Sequence, residues 1–207
     1  MLAIWIVAVL LTGYVIGCAH GSVLAQRLSG VDLKETGVKN AGASNATIVL
    51  GKKYGALVAL VDIGKGALTI IVLRMLLGNA FSEEVVWTLL FLAGAAVVIG
   101  HNFPFYMKFN GGKGTATVIG VLLALDWRIG LAGLALFIAA SLLSNYIVVG
   151  VLMLYVTLLV VAVWMAEGAW PIVTAAGLFL LALWKHIENF QRIKEGTEKK
   201  VRTVIKR

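Results

Sequence analysis

The chain has little of what supports a soluble fold, a redox centre or a metal cluster. Its 207 residues include one cysteine, Cys18, and two prolines, and only 14% of them are charged. A single cysteine excludes an internal disulfide bond and a cluster of cysteine metal ligands. The hydrophobic content of 60% leaves little sequence for a water-soluble domain. The composition therefore indicates a protein that is embedded in a membrane.

Motifs of several enzyme classes are also missing. None of the three histidines is followed five residues later by aspartate, which excludes the His-x4-Asp pattern of common glycerolipid acyltransferases. The sequence has no Gly-x-Ser-x-Gly nucleophile elbow, no His-Glu-x-x-His zinc helix and no Asp-rich motif of the alcohol phosphotransferases. Any chemistry must come from another arrangement of side chains, and we expect neither a metal nor a cofactor.

Long hydrophobic runs dominate what is present, and the mean hydropathy is +0.95. Several runs approach the roughly 20 residues that a helix needs to cross a bilayer. They predict an all-α polytopic membrane protein with seven transmembrane helices, some short or broken, in a single domain over residues 1–207. The predicted spans are Leu2–Leu24, Ala56–Leu77, Val85–Ile99, Thr115–Leu125, Ile129–Leu143, Ile147–Met165 and Pro171–Trp184.

The basic residues predict the orientation of the chain. Of the 18 lysines and arginines, five fall between Gln26 and Tyr54, two between His101 and Lys113, and eight after Trp184. The span count puts these segments on one side of the membrane. Because cytoplasmic loops are rich in lysine and arginine, this side is predicted to be cytoplasmic, with the N-terminus outside. The same bias explains the net charge of +8 without a nucleic-acid partner.

The C-terminal tail mixes apolar and basic side chains over residues 187–207. This pattern is typical of an amphipathic helix that lies on the anionic inner leaflet. A solvated basic tail explains the pattern equally well.

Polar residues collect in three segments on the predicted cytoplasmic side. The first comprises Gly21-Ser22 and residues 36–45, the second comprises residues 101–114, and the third begins at His186. Segments that are far apart in sequence but at one membrane face can form one pocket. Short polar side chains there would donate hydrogen bonds, and lysines and Arg192 would add charge. The alternative is that the glycines make turns and the asparagines cap helices.

The second segment carries the most specific pattern, Gly111-Gly112-Lys113-Gly114 beside His101-Asn102. Glycines allow backbone N–H groups to turn toward an anion, and the lysine supplies a positive charge. A glycine loop alone is weak evidence of function. Its predicted place at the membrane edge, beside a His-Asn pair, indicates a site for a phosphate-bearing ligand.

Two opposite charges are predicted inside the second span. Asp62 and Lys65 are three residues apart and therefore share one helix face. Charges at that depth are costly unless they are paired or functional. The spacing favours a structural ion pair over direct catalysis.

Several motifs occur together in one known family. In chain order they are Gly21-Ser22, Gly30–Leu33, Asn40–Asn45, Gly51–Lys53, Asp62–Gly66, Gly100–Pro104 with Gly111–Thr117, Ser141 with Ser144, and Lys185-His186 followed by Asn189, Arg192, Gly196 and Glu198. Together they resemble the bacterial acyl-phosphate:glycerol-3-phosphate acyltransferases, the membrane family called PlsY, over nearly the whole chain.

This resemblance implies transfer of an acyl group from acyl phosphate to the 1-hydroxyl of sn-glycerol 3-phosphate. The products would be lysophosphatidic acid and phosphate, at the first step of phospholipid synthesis. It also implies seven helices in the cell inner membrane, with an active site at the cytoplasmic face. We expect membrane lipids as neighbours and no obligate protein partner.

The resemblance also suggests roles for individual residues. We expect His186 and Asn189 to be catalytic and to orient the acceptor, with His186 or a substrate phosphate oxygen as the general base. Arg192 would pair with the acceptor's phosphate, and the loop around Lys113 would hold the donor's phosphate. The predicted substrate-binding residues are Ser22, Lys39, Asn40, Ser44, Asn45, His101, Asn102, Gly111, Gly112, Lys113, Gly114, Ser144 and Arg192.

The first motif departs from the family pattern. Val38 stands where the family usually has serine and Ile48 where it has arginine, whereas Ser44 keeps the hydroxyl of a usual threonine. The region thus loses one hydroxyl and one guanidinium group. Lys39 is the gained cation nearest in sequence. It either compensates for the loss or simply adds to the positive face.

Two other functions fit parts of the sequence. A transporter or scramblase for a phosphate-bearing solute or lipid also uses broken helices and glycine loops. The small size of the chain and its lack of internal repeats argue against that function. A purely structural membrane subunit would not need the three polar segments. The sequence therefore favours the acyltransferase.

Overall fold

A computed structural model of the chain describes residues 2–78 and 80–205. Asn79, in a predicted loop, and Lys206 and Arg207, in the predicted tail, lie outside the described residues. Within the described ranges all regular structure is helical, which confirms the all-α prediction. The helices are α1 (Leu2–Cys18), α2 (Gly21–Ser29), α3 (Ala43–Leu50), α4 (Lys52–Leu77), α5 (Glu83–Asn102), α6 (Thr115–Leu125), α7 (Trp127–Ser144), α8 (Ile147–Trp164), α9 (Trp170–Lys185), α10 (Ile187–Lys194) and α11 (Val201–Ile205).

All seven predicted apolar segments are helical. Among the described residues, five helical segments are long and apolar enough to cross a membrane, and the bent pair α9–α10 makes six if it is one span. α6 has 11 residues, which is about half the length of a span. The first span is broken, because α1 ends at Cys18 and α2 begins at Gly21.

The C-terminal tail is two short helices, with a non-helical stretch over residues 195–200. Gly196 has a φ of 71°, a left-handed conformation that ends a helix and that glycine adopts without steric cost. The backbone N–H of Val201 then donates to the carbonyl of Asn145, at 3.0 Å. The tail therefore folds back onto the end of α7, and its described part is divided between α10 and α11. Its predicted place on the inner leaflet stays a prediction.

α5 lies at the centre of the bundle and packs against α1, α4, α6 and α9. Leu89, Leu90 and Val98 of this helix are fully buried in a core that includes Leu122 of α6 and Leu154 of α8. The outer helix faces are different, because they expose large apolar side chains. Examples are Leu60, Leu143, Trp164 and Leu180. An apolar outside around a packed inside is what a bilayer requires.

Glycines bring α1 very close to α5. A Cβ atom at Gly17 would overlap the carbonyl oxygen of Val97, and one at Gly100 would overlap that of Tyr14. Small residues at a contact let helix backbones approach in a membrane. This approach places the break between α1 and α2 beside the end of α5, where His101 lies.

Candidate active site

The three predicted polar segments meet around a cavity of about 470 Å³. The first segment contributes Asn40 and Ser44, the second contributes Lys113, and the third contributes His186 and Arg192. Residues of segments far apart in the chain thus line one cavity. Much of the remaining wall is apolar, and its larger apolar side chains are Val38, Ile48, Ile63, Ile119, Phe137, Ile147, Val151, Val201 and Val204.

The glycine loop folds back onto the end of α5. The N–H of Gly111 donates to the carbonyl of Asn102 at 3.0 Å, and that of Gly112 donates to the carbonyl of His101 at 3.1 Å. Gly112 lies so close to the His101 ring that a Cβ atom would overlap Nε2. Only glycine fits this approach. The end of α5 therefore fixes the loop, and the loop brings Lys113 to the cavity.

Two helix N-termini face the cavity without a side-chain cap. α6 begins after Gly114 and α3 begins after Gly42, and neither glycine can supply a capping side chain. The first residues of both helices line the cavity. The first N–H groups of a helix lack partners within it, and the helix dipole makes that end partially positive. The cavity thus offers two backbone sites for anions.

Lys113 connects the glycine loop to α10. Its ammonium donates to Oδ1 of Asn189 and lies 4.0 Å from the carboxylate of Glu188. Burial lowers the pKa of Lys113 to about 8, an effect that Arg192 reinforces and Glu188 opposes. A phosphate bound here would favour the ammonium form and raise this pKa again.

A carboxylate of the tail orients the polar side chains of α10. Glu198 accepts hydrogen bonds from Nδ2 of Asn189 and from Nε of Arg192, both at 2.6 Å. Its side chain is almost fully buried. These contacts turn Oδ1 of Asn189 toward Lys113. The predicted site residues do not include Glu198. A site for an anion is expected to contain positively charged side chains, and a carboxylate is not expected there. The C-terminal motif is the one sequence signal for it.

His186 has one ring nitrogen engaged. Nδ1 lies 2.8 Å from the carbonyl oxygen of Ala182. A carbonyl can only accept, so we assign the proton to Nδ1, which leaves Nε2 as a hydrogen-bond acceptor in the neutral ring. His186 lines the cavity. Among the described residues, Nε2 is the ring nitrogen of His186 that has no hydrogen-bond partner.

A buried ionic network lies behind the glycine loop. The ammonium of Lys65 lies 3.0 Å from Oδ1 of Asp62 and 2.8 Å from Nδ1 of His101. It also donates to the carbonyls of Gly17 and Ala19, at 2.9 and 2.6 Å. Lys65, Asp62 and His101 are all buried. The pair in the second span is thus part of a larger structural network that joins α4 to α5 and to the break after α1.

The same network has the donor atoms of a metal site. The ring of His20 stacks on that of His101 with centroids 4.4 Å apart, and ligand atoms of His20, Asp62 and His101 lie within 4.8 Å of one another. The ammonium of Lys65 lies against both Asp62 and His101. The protein therefore supplies the cation of this cluster from its own sequence.

Asn45 organises the first segment through its side-chain amide. Oδ1 accepts from the N–H of Val38 at 2.9 Å, and Nδ2 donates to the carbonyls of Leu33, Thr36 and Asn40. The residue is fully buried. Asn45 thus shapes the loop that carries Asn40 to the cavity.

Other predicted residues lie outside this cavity. Lys39 and Gly111 line a neighbouring cavity of about 880 Å³, which shares Lys113 with the first. Ser22 and Asn102 are buried nearby, and Oγ of Ser144 donates to the carbonyl of Ala140 at 2.6 Å. These five predicted residues therefore do not line the main cavity.

These features define a helical membrane protein whose cavity suits phosphate-bearing, partly apolar molecules. A sequence profile described as glycerol-3-phosphate acyltransferase matches residues 7–196. The chain belongs to the glycerol-3-phosphate acyltransferase family, which makes it an enzyme.

Known proteins of the family match over almost their whole length. A glycerol-3-phosphate acyltransferase 1 of Oceanobacillus iheyensis is 46% identical over 191 residues, which is 91% of this chain and 92% of that protein. The glycerol-3-phosphate acyltransferase of Thermus thermophilus is 34% identical over 96% of this chain and 95% of its own.

Solved structures agree with this assignment. The crystal structure of PlsY, an integral membrane glycerol 3-phosphate acyltransferase, in its glycerol 3-phosphate form has a TM-score of 0.82, 30% identity and 94% coverage of both chains. Its lysophosphatidic acid form has a TM-score of 0.81 at 28% identity, again with 94% coverage of both chains.

Removing the charge of Lys65 tests the buried network. We expect Lys65→Met to destabilise the protein by about 3–5 kcal/mol, because it leaves Asp62 buried without its cation. Lys53→Met, an exposed position on the same helix, is the matched control. Thermal unfolding in detergent, followed by a thiol-reactive dye at the buried Cys18, measures the change. Asp62→Asn combined with Lys65→Met should recover part of the loss, and equal unfolding temperatures for both lysine variants would contradict the network's role.

The pKa of Lys113 predicts a pH dependence. We expect the ammonium form to bind phosphate, so Lys113 should add no pH dependence to the KM of a phosphate-bearing substrate well below pH 8. Above the free-enzyme pKa of about 8 the KM should rise, by up to tenfold per pH unit. The measurement is KM for each substrate against pH. Lys113→Arg, whose guanidinium stays charged, should lack this rise. A rise of the same size in that variant would assign it to another group.

Proposed function

We propose that the chain transfers the acyl group of an acyl phosphate to the 1-hydroxyl of sn-glycerol 3-phosphate. The observation that carries the proposal is one cavity with two uncapped helix N-termini, at Gly42 and Gly114, and an apolar wall. Both substrates bear a phosphate, so the reaction needs two anion sites in one cavity. The acyl chain needs the apolar wall, and no separate cofactor is required.

The reaction forms one bond and breaks another. The 1-hydroxyl oxygen bonds to the acyl carbon, and the bond between that carbon and the phosphate oxygen breaks. Phosphate leaves with the electron pair, and the hydroxyl proton passes to Nε2 of His186 or to a phosphate oxygen. Because phosphate is already a good leaving group, the protein mainly positions the substrates and stabilises negative charge.

The cations at the cavity fit these tasks. Lys113 and the N-terminus of α6 would bind one phosphate, and the N-terminus of α3 with Asn40 would bind the other. Arg192 and Asn189 reach the cavity from α10 and would orient the acceptor. The acyl chain would lie along Phe137, between α7 and α8, where it is open to lipid.

The first test is the reaction itself. Purified protein in detergent should form lysophosphatidic acid and phosphate from acyl phosphate and glycerol 3-phosphate. Acyl-CoA and acyl carrier protein should not replace the donor in a preparation free of phosphotransacylase, because Lys113 and the N-terminus of α6 suit a phosphate group. Loss of the ammonium in Lys113→Ala should cost about 1.5–3 kcal/mol of substrate binding or more in the transition state.

A second cavity variant and a control variant accompany that measurement. Asn189→Ala should lose activity, whereas Lys53→Ala, an exposed lysine away from the cavity, should keep it. Direct turnover of acyl-CoA would refute the donor assignment, and normal turnover by Lys113→Ala would place the phosphate elsewhere.

The cavity is proposed to open at the cytoplasmic face, with seven membrane helices, the N-terminus outside and the tail lying at the inner leaflet. Fifteen of the 18 basic residues support this orientation. In a Cys18→Ala background, Glu35→Cys should be shielded from an impermeant thiol reagent added to intact cells, and Glu167→Cys should be labelled. The reverse labelling pattern would invert the topology.

A further inference from the structure

We propose that Lys199 binds a substrate phosphate in the cavity and helps to set the substrate specificity of this chain. Lys199 lies in the non-helical stretch of residues 195–200, the strap, which connects α10 to α11. The inference deepens the proposed function, on which it rests.

The strap is anchored at both ends. Before Lys199, the backbone N–H of Glu198 donates to the carbonyl of Arg192 at 3.1 Å, and the buried Glu198 carboxylate holds the side chains of α10. After it, the N–H of Val201 donates to the carbonyl of Asn145 at 3.0 Å. The backbone of Lys199 is therefore held between α10 and the end of α7, next to the cavity.

Lys199 lies at a junction of two cavities. It lines the main cavity of about 470 Å³ together with Ile48, and both residues also line a smaller cavity of about 390 Å³ beside it. Lys200 lines only the smaller one. Lys52 and Lys200 also line the smaller cavity. Among the described lysines and arginines of the main cavity, Lys199 is the one that lines both cavities with Ile48.

The other cations of the main cavity are already engaged. Lys113 contacts Asn189 and lies 4.0 Å from Glu188, and Nε of Arg192 lies 2.6 Å from Glu198. Lys199 also lines the cavity, and it forms no ion pair with any residue in the ranges 2–78 and 80–205. An incoming anion would compete with carboxylates for the first two cations. It can bind the Lys199 ammonium without displacing any carboxylate.

This geometry answers a question that the sequence leaves open. Lys39 is the nearest gained cation in sequence to Val38 and Ile48. It lines the neighbouring cavity of about 880 Å³ together with Val38, but that cavity does not include Ile48. Lys199 is 151 positions from Ile48 in the chain and lines the same cavity. We therefore assign the compensating charge to the tail.

The test is a kinetic comparison of three variants. Lys199→Ala should raise the KM of one phosphate substrate roughly tenfold with little change in kcat, and the substrate affected identifies the phosphate bound. Lys194→Ala, which removes the same charge from an exposed position of α10, should leave both KM values unchanged. Lys199→Ala combined with Ile48→Arg should recover much of the loss, because a guanidinium returns to the same wall. Unchanged KM values in Lys199→Ala, or equal shifts in Lys194→Ala, would overturn the inference.

A binding measurement separates this inference from the reaction. Inorganic phosphate should raise the thermal unfolding temperature of the wild type and of Lys194→Ala, and the rise should be smaller in Lys199→Ala. An equal rise in all three proteins would overturn the inference even if the reaction is confirmed. A wild type that makes no lysophosphatidic acid would instead refute the proposed function, while this binding result would still report on Lys199.

Discussion

The position of the site depends on the contacts of one buried group, the ammonium of Lys65. A charge inside a membrane helix is costly unless partners surround it, and here one lysine contacts Asp62, His101 and two backbone carbonyls at the break after α1. These contacts lock α4, α5 and the first broken helix together. The carbonyl of His101 accepts from the N–H of Gly112, so this network fixes the position of the glycine loop at the cavity.

The cavity presents two uncapped helix N-termini, and its charged side chains are held by one another. Lys113, Asn189, Glu198 and Arg192 form a continuous chain of contacts from the glycine loop to the tail. A carboxylate at this place reduces the net positive charge but fixes the amide and the guanidinium in one orientation. Preorganised groups lose less on binding than mobile ones. The tail is consequently part of the site and not an appendage.

The family resemblance and the structure are most informative where the chain departs from the family pattern. Val38 and Ile48 make one wall of the cavity apolar. Replacement charges can come from any segment that folds onto that wall, and sequence distance does not rank them. Lys39 adopts a left-handed φ of 52° and lines the neighbouring cavity, whereas the strap carries Lys199 to the wall itself.

The sequence by itself determined the membrane class, the helical segments and the three polar clusters, because hydropathy and glycine patterns act over short distances along the chain. It also predicts Lys113, Asn189 and Arg192 as site residues, and all three line the cavity. The tertiary structure decided how Lys65 joins His20, Asp62 and His101, that Asn45 shapes a loop, and that Glu198 and Lys199 line the cavity. These facts depend on close helix approach at glycines and on a tail that folds back. Such contacts join residues far apart in the chain, and no local pattern encodes them.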